Sequence, residues 1–150
     1  MKTSFIILCV LVLGLTGCAQ QNNSYYVSDG YVASGYDVVS YFTDKPKLGK
    51  EEFIHAYDGV KFKFESQQNL NTFKENPQQY LPQYGGWCAY AIATNGSKVK
   101  IDPKTYEVRD GKLYLFYNFY FNNTLKSWLK EEPTQLIEKA NKNWKALQQR

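Results

Sequence analysis

Alternation of apolar and polar residues predicts two β-hairpins in this chain. Residues 60–64 alternate between branched or aromatic side chains and lysines, as a strand with one buried face does. An Asp-Gly pair separates this strand from the run at 53–57, and a second Asp-Gly pair separates 106–109 from 112–116. Such a pair favours a type I′ turn, because both central residues need a positive φ. No convincing internal repeat extends beyond these two hairpins.

Helix signals follow each hairpin. Ser66 can cap a helix that runs to Asn76, a short helix or turn covers 78–81, and 124–130 predict a helix that ends before Pro133. After that proline, apolar residues recur at helical spacing on one stripe, namely Leu136, Ile137, Ala140, Trp144 and Leu147.

An apolar and aromatic run at 35–42 predicts one more strand, ahead of the hairpins. The expected fold class is therefore α+β. It consists of a small antiparallel sheet, built from two β-hairpins plus this N-terminal strand, packed with about three helices.

The start of the chain is typical of a signal peptide. Lys2 precedes an unbroken apolar run at 5–13, which is shorter than the ~20 residues that span a bilayer. The run leads to Leu-Thr-Gly-Cys at 15–18, which resembles the lipobox of bacterial lipoproteins. That resemblance implies cleavage before Cys18 and attachment of lipid to its thiol.

These features predict the organisation and the location of the protein. We expect a lipoprotein signal peptide at 1–17, a flexible tether at 18–30 and one folded domain at 31–150. The lipid on Cys18 would anchor the protein to a membrane of the bacterial cell envelope, with the domain facing the periplasm or the exterior.

Composition excludes several functions. The formal net charge is only +4 and the lysines are scattered, so we expect no nucleic-acid partner. There is one histidine, and the only methionine is the first residue, which excludes a multi-histidine active site and a methionine-rich copper site. Processing at Cys18 would leave Cys88 as the only free cysteine, so the domain would contain no disulfide.

Residues 57–66, with Phe73, Asn76-Pro77 and Tyr80-Leu81 after them, resemble the YHS domain. The chain is also similar to the bacterial envelope branch of that family, through residues 35–42, 80–91, 101–103 and 110–115. This resemblance covers about residues 35–147. The envelope branch has no settled activity, so the resemblance implies a fold and a location more than a reaction.

The wider YHS and TRASH-type families imply metal handling through cysteines between the strand and the helix. Glu65 and Asn69 stand at those positions here. A carboxylate and an amide cannot replace a pair of soft thiolates, so a zinc or copper(I) thiolate site does not transfer to this chain.

Three other residues are candidate ligands of a transition metal ion. Cys88 follows two glycines and could bind a metal or react as a thiol, or it could fill space in an apolar strand at 87–92. His55 could supply an imidazole ligand or a base for Cys88, or it could be a partly exposed strand residue. Asp37 could complete this set, or it could bind backbone N–H groups of a neighbouring loop.

The sequence therefore predicts a binding module with a metal or small-ligand site at Cys88, His55 and Asp37. The alternative is a structural or interaction protein, without bound ligand, whose aromatic surface contacts an envelope protein. The aromatic stretch at 114–121 could line a small-molecule or glycan groove, or it could be a strand packed on both faces. We expect no catalytic residues, because the sequence contains no nucleophile–base motif.

Overall fold

The computed structural model describes residues 24–43 and 45–149, so the predicted signal peptide and Cys18 lie outside the described residues. In chain order the strands and α-helices are β1 Val27–Ser28, β2 Tyr31–Val32, β3 Lys50–Tyr57, β4 Val60–Phe64, α1 Gln67–Glu75, α2 Pro77–Tyr80, α3 Ala89–Asn95, β5 Asp102–Arg109, β6 Lys112–Phe116, β7 Asn118–Phe119, β8 Asn122–Asn123, α4 Thr124–Lys130 and α5 Pro133–Leu147. Within the described ranges, no helix is both long and apolar enough to cross a membrane.

The α+β fold class is confirmed. Each hairpin forms its own two-stranded antiparallel sheet, so the strands do not join into the single sheet that we expected. Both Asp-Gly turns have the predicted geometry, with φ of 50° at Asp58 and 77° at Gly59, and 50° at Asp110 and 69° at Gly111. These are the left-handed conformations that a type I′ turn requires.

The two long hairpins are equivalent in register. Tyr57 pairs with Val60 in the first, and Arg109 pairs with Lys112 in the second, 52 positions later. The first strand of each hairpin also contains a register shift at the equivalent place. The two hairpins therefore share one backbone pattern around the same Asp-Gly turn.

The repeat extends beyond the hairpins. A short turn with positive φ precedes each of them, at Ser34–Gly35 and at Tyr84–Gly86, and a helix follows each of them, α1 and α4. The sequence shows no convincing repeat beyond the hairpins because the two turn–hairpin–helix halves share a backbone while their sequences differ. The second half alone carries an additional small hairpin, β7–β8, between its long hairpin and its helix.

Two predicted strands are wrong. Residues 35–42 follow from a 3-10 turn at Ala33–Gly35 and contain a second one at Ser40–Phe42, because a buried carboxylate binds the amides of this segment and bends it. Residues 87–92 lead into helix α3, in which Ala89, Ile92 and Ala93 are buried at helical spacing. A short apolar run cannot distinguish a buried helix from a strand.

Strand β6 separates the two parts of the core. Leu113 and Leu115 pack into one apolar cluster, and Tyr114 and Phe116 pack into the other. The first cluster contains the buried apolar residues of the first half of the repeat. Helix α5 covers the second cluster with its predicted apolar stripe, Leu136, Ile137, Ala140, Trp144 and Leu147. The predicted packing on both faces holds for residues 114–116, whereas Tyr120 and Phe121 at the end of the stretch are exposed.

Residues 24–30 pack against the domain rather than extending from it as a free linker. The Tyr26 amide donates to the Gly85 carbonyl at 2.9 Å, and the Tyr26 ring lies 5.1 Å from the Trp87 ring. A side chain at Gly85 would collide with the Ser24 carbonyl, and φ there is +62°. This part of the predicted tether therefore belongs to the folded unit.

Candidate functional site

Asp37 lies at the centre of the first half and is fully buried. Its Oδ1 accepts the amide of Val39 at 2.9 Å, and its Oδ2 accepts the amide of Glu65 at 3.0 Å and the Asn69 Nδ2 at 2.7 Å. The Ser40 amide is a more distant donor to Oδ1, at 3.4 Å. The carboxylate therefore joins the segment before the hairpin to the segment after it, and its lone pairs are engaged by N–H donors.

Glu65 and Asn69 occupy the positions where the YHS resemblance implies thiolates. The Asn69 amide group faces Asp37, and the Glu65 carboxylate pairs with Lys47 at 3.0 Å. Both side chains are therefore engaged within the protein, and neither residue contributes a sulfur. The donor set does not fit a soft metal ion.

Cys88 takes the position in the second half that Asp37 takes in the first. Its amide donates to the Val99 carbonyl at 3.0 Å, as the Asp37 amide donates to the Lys47 carbonyl at 2.8 Å. The Cys88 Sγ accepts the amide of Tyr117, the first residue after β6, just as Asp37 accepts the amide of the first residue after β4. Thr124 Oγ1, 3.3 Å from the sulfur, completes the set.

This equivalence gives Cys88 a structural role. The side chain is fully buried, and its sulfur is engaged by an amide and a hydroxyl. A cleft of about 240 Å³ lies beside it, between α3 and β8. Cys88 is among the residues that line this cleft, but its exposed fraction is 0%, so a molecule in the cleft would contact the sulfur only after local rearrangement.

His55 lies on β3, opposite Phe62 of β4, and its ring is 6.2 Å from that of Phe73. Burial lowers the pKa of His55 below its ordinary value, and the nearby Lys74 lowers it further. The imidazole therefore belongs to the packing of α1 against the first hairpin.

The structure does not bring Cys88, His55 and Asp37 together into a metal site. Within residues 24–43 and 45–149, no group of three or more His, Cys, Asp or Glu side chains is arranged to hold a metal ion. The separation has a simple cause: Asp37 and Cys88 occupy equivalent places in different halves, and His55 lies on the hairpin of the first half.

A different cleft, of about 290 Å³, lies where the N-terminal segment meets α5; we call it the Tyr84 cleft. Buried Tyr84 lines it together with the partly buried rings of Tyr25 and Trp144. Exposed carboxamides surround the opening, from Gln78, Asn141 and Gln148. The remaining lining residues are Ser24, Asp58, Leu81, Pro82, Gln83 and Gly85.

Tyr84 is held in an unusual conformation in this cleft. Its φ is 55°, a left-handed value that is costly for a bulky residue. Its hydroxyl donates to Asn141 Oδ1 at 3.1 Å, and its ring lies 6.2 Å from that of Trp144. Burial raises the pKa of Tyr84 well above its ordinary value, so the hydroxyl remains a neutral donor.

Sequence reasoning missed the Tyr84 cleft. Its lining comes from the N-terminal segment, the first hairpin turn, the loop after α2 and the last helix, which are far apart in the chain. One signal was present: a Tyr-Gly-Gly run beside a proline is typical of a strained turn. The partners of that turn depend on the packing of α5.

Comparison with known protein families gives one match. The YHS domain matches residues 39–84, which include the first long hairpin, α1 and α2. The match ends before Cys88, so it is shorter than the resemblance over residues 35–147. Comparisons of the chain with curated proteins and with solved structures found no match. From the 3-10 turn before the hairpin to the turn that holds Tyr84, a YHS domain is therefore detected at residues 39–84 of this chain.

Proposed function

We propose that this chain is a lipid-anchored protein of the bacterial envelope whose domain binds a small polyhydroxylated ligand, of the saccharide type, in the Tyr84 cleft. The observation that carries this proposal is the combination of aromatic rings with exposed carboxamides around one cavity of about 290 Å³. The resemblance of residues 15–18 to a lipobox supports the anchor and the location.

The chemistry of the lining matches a sugar. A carboxamide supplies both donors and an acceptor. Gln78 already donates through Nε2 to the Tyr57 hydroxyl and Asn141 already accepts through Oδ1 from Tyr84, so each keeps its other group for a ligand hydroxyl. The apolar C–H face of a sugar ring can pack on an aromatic face such as that of Trp144. The volume is near the lower limit of about 300 Å³ for small-molecule sites, which corresponds to one ring with its substituents.

The lining favours binding over hydrolysis. Glycoside hydrolysis generally uses a pair of carboxyl groups on either side of the scissile bond. Asp58 is the one carboxylate among the described residues that line the cleft. The cleft therefore supports recognition of a sugar and provides no second acid for its cleavage.

Titration with neutral saccharides tests this function. The full-length protein, purified in detergent, would be titrated with a panel of monosaccharides and disaccharides, and tryptophan fluorescence would report binding next to Trp144. We expect Asn141→Ala to weaken binding about tenfold, because it removes hydrogen bonds to the sugar and releases the Tyr84 hydroxyl.

Gln135→Ala is the matched control, since Gln135 is also exposed on α5 and does not line the cleft. This variant should bind like the wild type. The proposal fails if no saccharide changes the fluorescence, or if the two variants bind equally well.

A further inference from the structure

The small hairpin β7–β8 presents two aromatic residues to solvent. Tyr120 is 85% exposed and Phe121 is fully exposed, and they form the two-residue tip between the strands. Their φ values are 51° and 62°, so both are left-handed. Bulky residues rarely adopt this conformation, and Asn-Gly or Asp-Gly is the usual choice for such a turn.

The chain itself shows that the tip could have been built without strain. Both long hairpins use Asp-Gly at the equivalent turn. The first half of the repeat also connects its hairpin to its helix through Glu65 and Ser66 alone, without an inserted hairpin. The fold therefore does not require these aromatic residues, and their presence at a strained, exposed tip indicates an interaction.

The tip continues a surface of rings and lysines, which we call the aromatic–lysine strip. It begins where the Tyr26 and Trp87 rings meet, and Lys98 Nζ lies 5.9 Å from the Trp87 ring. Two residues further, Lys100 Nζ lies 4.6 Å from the ring of Phe119, the residue before the tip.

We propose that this strip docks on an anionic lipid bilayer, with Tyr120 and Phe121 inserted to the boundary between the lipid headgroups and the acyl chains. Aromatic rings interleaved with lysines are typical of surfaces that lie in the membrane interface. Each lysine near an anionic bilayer adds electrostatic attraction to it. Protein interfaces, in contrast, are depleted in lysine, and a projecting hairpin tip fits a soft surface better than a flat one.

The position of the strip in the chain agrees with docking on a bilayer. The strip starts at Tyr26, eight residues after Cys18, and eight extended residues span at most ~28 Å. A lipid on Cys18 would hold the strip within this distance of the bilayer. The docking goes beyond the proposed saccharide site, since none of Tyr120, Phe121 and Lys100 lines that cleft.

Quenching of an introduced tryptophan tests the docking. The full-length protein would be reconstituted with vesicles of phosphatidylglycerol and phosphatidylcholine that carry brominated acyl chains. We expect the added fluorescence of Phe121→Trp to be quenched at least about twofold more than that of Leu48→Trp, because the tip reaches the acyl chains. Leu48 is the matched control, since it is 61% exposed and lies outside the strip.

Charge variants test the contribution of the lysines. The double variant Lys98→Gln with Lys100→Gln should reduce the quenching at position 121. The control is Lys61→Gln with Lys74→Gln, which makes the same charge change on β4 and α1 and should leave that quenching unchanged.

Each outcome separates docking from anchoring. Equal quenching at positions 121 and 48 in protein that floats with the vesicles overturns the docking and indicates a protein partner for the tip. Protein that does not float with the vesicles overturns both the docking and the anchor. Selective quenching at position 121 that persists in Cys18→Ala supports the docking without the anchor.

Discussion

At the scale of single residues, two chemically different side chains accept equivalent backbone hydrogen bonds. Asp37 and Cys88 each accept the first amide after a long hairpin, and each lies where its segment turns toward that hairpin. A carboxylate accepts more donors than a thiol, so Asp37 also binds Asn69 and Val39. A soft metal site needs thiolates that are not committed elsewhere, and neither half provides them.

Removing the charge of Asp37 should destabilise the fold strongly. In Asp37→Asn an amide nitrogen would face the Glu65 and Asn69 donors, or those donors would lose their acceptor. We expect a loss of about 3 kcal/mol in the free energy of unfolding, measured by urea denaturation.

Asp110→Asn is the control, because it makes the same change at an exposed type I′ turn position that accepts either residue. Its effect should stay within about 0.5 kcal/mol. Equal stabilities for the two variants would contradict the role given to Asp37.

His55 should make the stability depend on pH. Burial lowers its pKa in the folded state, so the unfolded chain binds the proton more readily. The contribution of His55 to the free energy of unfolding is therefore fully present above the ordinary histidine pKa of about 6.5, and it is lost as the pH falls through the lower pKa of the folded state. Urea midpoints at about pH 7.5 and about pH 5.5 should differ less in His55→Gln than in the wild type. An unchanged difference would show that other groups cause the acid sensitivity.

At the scale of elements, the β7–β8 hairpin has no counterpart between the hairpin and the helix of the described first half. Replacing its tip by Tyr120→Asn with Phe121→Gly should stabilise the protein, because these residues accept the left-handed conformation. A gain of about 1 kcal/mol is expected from urea denaturation.

The same double variant should lose the contact of the tip with the bilayer. A residue retained for packing would give the opposite result, a lower free energy of unfolding after its removal. A loss of stability in this variant would therefore show that the aromatic tip is structural.

The elements also show where pattern reading succeeded. The Asp-Gly turns, the cap at Ser66 and the helix at 124–130 depend on neighbours in the sequence, and all of them are confirmed. The run at 35–42 has the composition of a strand, but a carboxylate that binds backbone amides of its own segment turns it instead. Its second attachment, to Glu65, lies 28 positions away, so no local window contains it.

At the scale of the whole molecule, two similar halves and a last helix enclose the core, and the N-terminal segment packs on both halves, through Tyr25 on Phe62 and Tyr26 on Trp87. The Tyr84 cleft lies at the place where that segment, the turn and α5 meet. The proposed ligand site is therefore a product of the assembly of the two halves with α5. The aromatic–lysine strip starts from the same N-terminal segment.

The proposed anchor predicts the fate of Cys18. In cells given labelled fatty acid, the wild-type chain should incorporate label and Cys18→Ser should not, since serine provides no thiol for the lipid. Cys9→Ser is the matched control and should keep the label, because Cys9 lies within the predicted signal peptide. Label retained in Cys18→Ser would contradict lipidation at this residue.

The sequence by itself determined the features that arise from neighbouring residues: the alternation of each hairpin, the turn chemistry, the helix caps and the apolar stripe of α5. Tertiary structure decided which distant groups meet, because that depends on how the two halves pack. It placed Asp37 and Cys88 in separate halves, united Tyr84 with Trp144, and exposed the aromatic tip. Local patterns indicate the propensity and periodicity of one segment, whereas a site is formed by contacts between segments that are far apart in the sequence.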